Sequence, residues 1–247
     1  MAIIYILWLR QIKRFFRSKA RIIGSIGQPL LFLVALGFGM GPIFEKAGEG
    51  NYIYFLSPGI IVMTILFSSI FTGVDIIWDR QFGFLKETLV APVSRFKIVL
   101  GRILGGATTS LLQGVIVLII TIPVGFRFDI AMLPLALLFM FLIAIFFTTL
   151  GTTIGSMLKD MQAFHLIMNF LVMPIFFLSG ALFPIEHSVG VLEIITKLNP
   201  LAYGVDGVRG SLTSNFYFSA GTDLIVLFIA SILILLLSSY IFSKIEA

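Results

Sequence analysis

Few side chains of this sequence could perform proton or metal chemistry. His165 is the single histidine inside a long apolar run, and no buried carboxylate partner is evident, so helix packing is a stronger interpretation than proton coupling. Glu186 and His187 form an isolated pair without the His-Glu-x-x-His spacing of a metalloprotease. The chain contains no cysteine, which excludes a thiolate nucleophile and cysteine-bound zinc. We therefore predict no catalytic residue, no metal site and no cofactor bound by this chain.

Charges inside the apolar runs are equally scarce. Asp75 precedes Asp79 and Arg80 at the end of one run, so a place at the membrane interface is a stronger interpretation than a proton carrier. A charge at mid-membrane costs about 2.5–3.5 kcal/mol on insertion scales and usually has a function, so their scarcity argues against an ion pump. A secondary transporter or channel working without an ATPase is the alternative hypothesis. It would need ionisable or unwound sites in corresponding halves of the chain.

Basic residues recur at three- and four-residue spacing near the N terminus, on one face of a helix predicted over residues 2–21: Arg10, Lys13, Arg14, Arg17 and Arg21. Such an amphipathic helix lies in the headgroup plane of a membrane, where each basic residue near anionic lipid contributes about 1 kcal/mol. Two roles of this interfacial helix are open and compatible. It is a topology anchor, or a lever that moves during transport.

These residues belong to a chain of 247 residues that is 59% hydrophobic and only 12% charged, about half the charged fraction of a soluble domain. A bilayer core about 30 Å thick needs roughly 20 helical residues. Six runs are long enough, and we predict spans at residues 22–41, 53–77, 103–125, 131–157, 163–183 and 222–242. The predicted fold class is an all-α polytopic membrane protein, with residues 1–247 as one transmembrane domain and residues 22–247 as its six-span core.

The distribution of charge between the spans predicts their orientation. Every second segment between the spans lies on the same side of the membrane. One side holds 13 of the 17 Lys and Arg residues, and the other side holds four: Lys46, Arg127, Lys197 and Arg209. By the positive-inside rule the more basic side faces the cytoplasm, which places both termini there. Topology thus accounts for the net charge of +5, and we expect membrane lipid rather than nucleic acid as a partner.

Two segments between the spans are too structured to be simple connectors. Residues 79–102, on the cytoplasmic side, contain a short amphipathic stretch between Gly83 and Pro92 that suits docking into a groove of a partner protein. A second surface-lying anchor is the alternative. Residues 184–220, on the outer side, are apolar at helical spacing and predict two short helices broken at Asn199-Pro200. Such helices would dip partly into the membrane, at an outer gate or vestibule.

The order of these elements, together with four short motifs, resembles the membrane subunit of ABC type-2 transporters, the permease partners of drug-resistance and polysaccharide or lipo-oligosaccharide exporters. The motifs are Gly-Phe-Leu-Lys-Glu-Thr-Leu at 83–89, Ala-Pro-Val-Ser-Arg at 91–95, Phe-Leu-Ser-Gly at 177–180 and Asn-Pro-Leu-Ala-Tyr at 199–203, followed by Arg209. The resemblance covers nearly the whole chain. The chain departs from the larger exporters in having no big extracellular domain.

The resemblance implies specific roles for two groups of residues. It implies that the cytoplasmic stretch is the coupling helix that seats in a nucleotide-binding subunit: Gly83, Phe84, Leu85, Lys86, Glu87, Thr88 and Leu89. It implies that the outer segment forms a re-entrant hairpin and gate that includes Asn199, Pro200, Tyr203 and Arg209.

The resemblance also implies partners. A second permease copy, in a homodimer or heterodimer, would complete the transport path. An ATP-binding subunit would carry ATP and magnesium, because this chain has no Gly-x-x-x-x-Gly-Lys-Ser/Thr motif. On this interpretation the chain is a permease domain of the cell membrane, not an enzyme itself, and it exports a hydrophobic, lipid-linked or drug-like substrate.

Overall fold

Long apolar helices dominate the computed structural model, which describes residues 2–48, 50–84, 87, 92–158, 160–185 and 190–244 and, for residues 20 and 21, the backbone alone. In chain order the helices are α1 (Ala2–Arg17), α2 (Lys19–Lys46), α3 (Tyr52–Phe71), α4 (Val74–Gln81), α5 (Arg95–Thr121), α6 (Leu133–Met157), α7 (Met161–Ile167), α8 (Met173–Phe177), α9 (Val191–Leu198), α10 (Pro200–Thr213) and α11 (Ala220–Ser243). A 3-10 turn, Ile130–Met132, precedes α6, and a π-helical segment, Met168–Val172, joins α7 to α8.

Five helical stretches of the described residues are long and apolar enough to cross a membrane, which confirms an all-helical, multi-pass membrane protein: Ile22–Lys46, Tyr52–Gln81, Arg95–Thr121, Ile130–Met157 and Ala220–Ser243. They overlap five of the six predicted spans. The other prediction, residues 163–183, corresponds to a shorter apolar stretch, Met161–Phe177. This stretch is short because the helix ends at Phe177 and Gly180, in the left-handed conformation (φ 75°), turns the chain.

α3 lies at the centre of the bundle. In the stretch Tyr52–Gln81, 78% of the apolar segment is buried within the bundle. Leu56, Ile60 and Leu66 are fully buried. α3 packs against α2, α5, α6 and α10. In contrast, only 22% of the apolar segment of α2 and 17% of that of α11 are buried. Their apolar faces therefore point away from the chain, as the faces of helices in lipid do.

The predicted span 53–77 is broken at Thr72 and Gly73, where α3 is followed by α4. The backbone of Gly73 lies directly against α6, and a Cβ atom there would collide with the carbonyl of Gly151. A side chain cannot fit at this crossing, and the close approach aligns α4 with α6. Pro58, by comparison, lies within α3 without ending it, as expected of a kink rather than a loop.

The basic helix predicted over residues 2–21 is divided in the structure. α1 ends at Arg17, Ser18 has non-helical dihedral angles (φ −99°, ψ 73°), and α2 begins at Lys19. Arg21 therefore belongs to the first long apolar helix and not to the N-terminal helix. The prediction of one continuous interfacial helix is wrong at this point, because the chain changes direction at Ser18.

Candidate coupling site

α1 packs along α5 where two glycines, Gly101 and Gly105, leave room for it. A Cβ atom at Gly101 would lie 3.0 Å from Leu7 Cβ, and one at Gly105 would lie 2.7 Å from Gln11 Cβ. Trp8 Nε1 donates a hydrogen bond to Thr108 Oγ1 at 3.1 Å. One face of the predicted interfacial helix is therefore held by protein, which leaves the remainder of its surface for lipid.

Two aspartates of α4, Asp75 and Asp79, form ion pairs with arginines of α1. Arg10 Nη2 donates to Asp79 Oδ1 at 3.0 Å, and Arg14 Nη2 lies 3.3 Å from Asp75 Oδ1. Both the arginines and the aspartates are four residues apart, so the two ion pairs lie side by side along the two helices. The aspartate side chains are buried, at 8% and 5% exposure, whereas the arginines are about a third exposed.

Arg102 of α5 joins the same group from the opposite side. Its Nη2 atom donates to Asp79 Oδ2 at 2.6 Å, and its side chain is only 3% exposed. Asp79 thus binds two arginines, one from each neighbouring helix. A buried guanidinium without a carboxylate partner is strongly destabilising, so Asp79 stabilises the junction of α1, α4 and α5 by pairing with Arg102 as well as Arg10.

The next residue along α4 connects this group to α6. Arg80 donates from Nη1 to the carbonyl of Leu158 at 2.6 Å and from Nη2 to the carbonyl of Ser156 at 2.7 Å. At the start of α5, Arg95 donates to the carbonyl of Ser243, at the end of α11. Both arginines bind carbonyls at helix C termini, where intrahelical partners are missing and positive charge is favoured.

The predicted coupling helix begins directly after this group. Gly83 has positive φ (77°), a conformation that favours glycine, and it turns the chain after α4. The guanidinium carbon of Arg10 lies 3.8 Å from the centre of the Phe84 ring. Glu87 N donates to the carbonyl of Gly83 at 3.4 Å, and Glu87 is exposed. The other predicted residues, Leu85, Lys86, Thr88 and Leu89, lie outside the described part of the chain.

The two short helices predicted on either side of Asn199-Pro200 are present as α9 and α10. Asn199 Oδ1 accepts from the backbone N–H of Leu201 at 3.0 Å and so caps α10, whose first residue is Pro200. Its Nδ2 atom donates to the carbonyl of Ile175 in α8 at 2.7 Å. Tyr203 Oη donates to the carbonyl of Lys197 at 2.7 Å. These bonds fix the angle between the two short helices.

Arg209 connects α10 to α3, the central helix, and to the turn at Gly180. Its Nη2 atom donates to the carbonyl of Gly180 at 2.9 Å, and its guanidinium carbon lies 4.0 Å above the Phe55 ring. One turn earlier on α10, the buried carboxylate of Asp206 accepts from the backbone N–H groups of Tyr217 and Phe218, each at 2.8 Å. Arg209 was predicted as part of this site, whereas Asp206 was missed.

Other side chains considered for chemistry have simpler surroundings. His165 is exposed on α7, so the predicted packing role within this chain is wrong. Glu186 and His187 lie outside the described residues. Across the part of the chain that the structure describes, no group of three or more His, Asp or Glu side chains is arranged to hold a metal ion.

Asp79, Arg80 and Arg102 are the residues of the coupling site that the sequence analysis did not select. A signal for Asp79 was available, because the i, i+4 spacing of Asp75 and Asp79 matches that of Arg10 and Arg14. The spacing could not reveal that the two helices are adjacent, because Arg10 and Asp79 are 69 residues apart in the chain.

The fold and these two sites define a class: a multi-pass helical membrane protein in which one buried ionic group joins the N-terminal helix to the segment between two spans. The family model for the ABC-2 type transporter matches residues 3–213. The chain belongs to the ABC-2 type transporter family, as its motifs indicated.

Curated relatives agree with this assignment. The chain is 32% identical over 210 residues to the transport permease ycf38 of Cyanophora paradoxa, an alignment that covers 80% of this chain and 71% of that protein. It is 32% identical over 214 residues to the ycf38 protein of Pyropia yezoensis, covering 81% and 70%. It is 27% identical over 194 residues to Nodulation protein J of Rhizobium meliloti (strain 1021), covering 78% and 74%. Subunits of this family are components of transporters.

Proposed function

We propose that this chain is the membrane-spanning subunit of an ABC exporter and that a separate ATP-binding subunit drives it. Family membership supports a transport role, and subunits of this family typically work with an ABC ATP-binding subunit. The observation that carries the proposal is that Arg10 contacts both Phe84 of the predicted coupling helix and Asp79 of α4. Asp79 also binds Arg102, so this segment is joined to α1, α4 and α5.

The proposed mechanism is mechanical. Closure of two ATP-binding subunits would push the coupling helix, residues 83–91, and with it α4. Through Asp79 the push reaches α1 and α5, and through the two carbonyl contacts of Arg80 it reaches α6. Charge-assisted hydrogen bonds are stronger and more geometrically specific than neutral ones, so these contacts would keep α4 in register with its neighbours as it moves. The helices would then tilt from an inward-open to an outward-open arrangement.

The proposed topology has six spans with both termini in the cytoplasm. The proposed location is the cell membrane. The stretch Met161–Phe177, with its 17 residues, would be about 26 Å long as a regular helix, nearly the thickness of a bilayer core. Arg10, Arg14, Arg80 and Arg102 then lie together on the cytoplasmic side, as the positive-inside rule requires. The single transmembrane domain would extend over residues 1–247.

At the outer end, α9 and α10 would form a re-entrant hairpin that acts as a gate. Asn199 and Arg209 hold the hairpin against α8, Gly180 and Phe55, and Tyr203 joins the two helices of the hairpin to each other. A backbone that dips into the membrane has to be covered by protein, and these contacts provide that cover. A second copy of the permease would face the exposed apolar sides of the bundle and complete a path for a hydrophobic, lipid-linked or drug-like substrate.

Charge reversal on the predicted coupling helix tests the proposal. In cells that express the chain with its ATP-binding subunit, Glu87→Arg should prevent copurification of that subunit while the variant still inserts in the membrane. Lys97→Glu is the matched control, because Lys97 is an exposed charge in the first turn of α5, on the same side of the bundle. The control should retain the ATP-binding subunit. Normal binding by Glu87→Arg would contradict the docking assignment.

A second experiment separates the proposal from a secondary transporter. The permease and its ATP-binding subunit are reconstituted in vesicles, and ATP hydrolysis is measured with candidate lipids, hydrophobic drugs and lipid-linked glycans. We expect stimulation by one class and no transport without nucleotide. Transport by the chain alone, without ATP or an ATP-binding subunit, would refute the proposal.

A further inference from the structure

A cavity of about 460 Å³ lies where the first half of α2 faces the second half of α3 and the start of α4. Its volume is within the range of ligand-binding pockets, roughly 300–1,000 Å³. One side is aromatic, with Phe67, Phe71 and Trp78, and the other is polar, with Ser25 and Gln28. The sites discussed above do not use this cavity, although the ion pair of Arg14 and Asp75 lines its mouth.

The lining of the cavity includes an amide whose oxygen lacks a hydrogen-bond partner. Gln113 of α5 is 2% exposed, and among the described residues its Oε1 atom has no hydrogen-bond partner. Ser68, beside it in the cavity lining, accepts from Ser110 at 3.0 Å. A buried acceptor without a hydrogen bond costs about 1–3 kcal/mol. This cost would be offset by a ligand that brings a hydroxyl group into the cavity.

The mouth of the cavity continues into a basic trough of about 760 Å³ on α1. Arg10, Lys13, Arg14 and Arg17 line the trough, and Arg14 and Ser18 line both the trough and the cavity. Asp75 and Asp79 pair with Arg14 and Arg10, so Lys13 and Arg17 supply positive charge in excess of those two carboxylates. The two free oxygens of a phosphodiester can accept hydrogen bonds from both of these side chains.

We propose that the trough and the cavity together bind one phospholipid of the surrounding bilayer, of the class with a phosphodiester and a hydroxylated head group. The phosphate would lie against Lys13 and Arg17, and the head-group hydroxyls would enter the cavity and donate to Gln113. The acyl chains would lie on the outer face of α2, where Ile23 and Leu31 are each 71% exposed. A choline head group would bring no hydroxyl donor and would place a cation beside Arg14.

This inference requires only that α2 and α3 cross a membrane, which the fold and the family support. It does not depend on an ATP-binding subunit or on any transported substrate. The proposed function and the lipid site can therefore fail separately, since the docking experiments above measure protein association and those below measure lipid retention.

Filling the cavity is the direct test. A Cβ atom at Gly24, which lines the cavity, meets no atom within 4 Å, so Gly24→Phe should fill the space without disturbing the helix packing. Gly39 of the same helix is equally open and does not line the cavity, so Gly39→Phe is the matched control. The full chain is extracted from bilayers of equal phosphatidylglycerol and phosphatidylcholine, and the retained lipid is measured by native mass spectrometry.

We expect the unaltered chain and Gly39→Phe to retain phosphatidylglycerol preferentially. Gly24→Phe should lose that preference by about tenfold, which corresponds to about 1.4 kcal/mol, with an unchanged melting temperature. Equal retention by Gly24→Phe and the unaltered chain would overturn the proposal, as would equal retention of the two lipids by the unaltered chain.

A second variant tests the polar contact and guards against a folding defect in the first. Gln113→Leu should abolish the preference for phosphatidylglycerol over phosphatidic acid, which lacks the second glycerol and its carbon-bound hydroxyls, but keep the preference for both over phosphatidylcholine. If Gln113→Leu leaves the first preference intact, the hydroxyl assignment is wrong. Displacement of the lipid by free glycerol 3-phosphate would show that a soluble phosphate is the ligand and would overturn the assignment to a lipid.

Discussion

Asp79 and Arg102 lie 2.6 Å apart in the interior of the bundle, and the same carboxylate also binds Arg10 at 3.0 Å. This arrangement makes one side chain of α4 the common partner of α1 and α5. The segment predicted to receive a push from an ATP-binding subunit starts only four residues after Asp79, so force applied there has a short path to three helices.

Removal of the shared carboxylate should be severely destabilising. Asp79→Ala leaves the 3% exposed Arg102 without a charge partner, and loss of one member of a buried ion pair costs about 3–5 kcal/mol. Thermal unfolding of the purified protein in detergent measures the loss. The double variant Asp79→Leu with Arg102→Met should recover most of the stability, because no unpaired buried charge then remains: Asp75 keeps Arg14, and Arg10 is about a third exposed. A double variant no more stable than Asp79→Ala would show that the cost has another source.

Arg80→Lys should weaken force transmission while leaving docking intact. A lysine keeps the charge but has a single ammonium group, which cannot reproduce the two-pronged contact with the carbonyls of Leu158 and Ser156. We expect the ATP-binding subunit to copurify normally and ATP-driven transport to fall several-fold. Measurement of both quantities in the same preparation separates transmission from binding. Equal transport by the variant and the parent would remove Arg80 from the proposed path.

The crossing of α3 and α4 over α6 should not tolerate a methyl group. A Cβ atom at Gly73 would collide with the Gly151 backbone, so Gly73→Ala must separate the helices, and overpacking of this kind typically costs about 1–3 kcal/mol. Gly39→Ala is the control, since the space around Gly39 is open and alanine favours a helix more than glycine does. We expect a lower melting temperature for Gly73→Ala alone. The same melting temperature for both variants would contradict the close approach.

A covalent link between α1 and α5 tests whether the two helices move as one body. The chain has no cysteine of its own. A Cβ atom at Gly101 would lie 3.0 Å from Leu7 Cβ and 3.1 Å from the Ile4 backbone, so α1 and α5 must separate by about 0.5 Å to reach the 3.5–4.5 Å that a disulfide requires. The double variant Leu7→Cys with Gly101→Cys should crosslink on oxidation and keep ATP-driven transport, because Asp79 joins both helices to α4. Transport by the reduced double variant is therefore the reference for transport by the oxidised one. Transport that stops on oxidation and returns on reduction would show instead that α1 slides along α5.

Sequence patterns alone predicted the parts of this protein that depend on local composition. The apolar runs predicted the helical spans, since a segment without charges has no alternative to an internally hydrogen-bonded helix in lipid. Asn199-Pro200 predicted the start of α10, because Asn is a favourable cap and Pro a favourable first residue. The basic row and the family motifs predicted where α1 and the segment after Gly83 would matter.

The tertiary structure decided which distant residues meet. Whether Arg10 faces lipid or Asp79 depends on the packing of α1 into the space left by Gly101 and Gly105, and no local pattern contains that information. The break at Gly73 likewise depends on a backbone contact with a helix far along the chain. Membership of a helix is a property of neighbouring residues, whereas an ion pair between helices is a property of their relative position, which only the packed bundle defines.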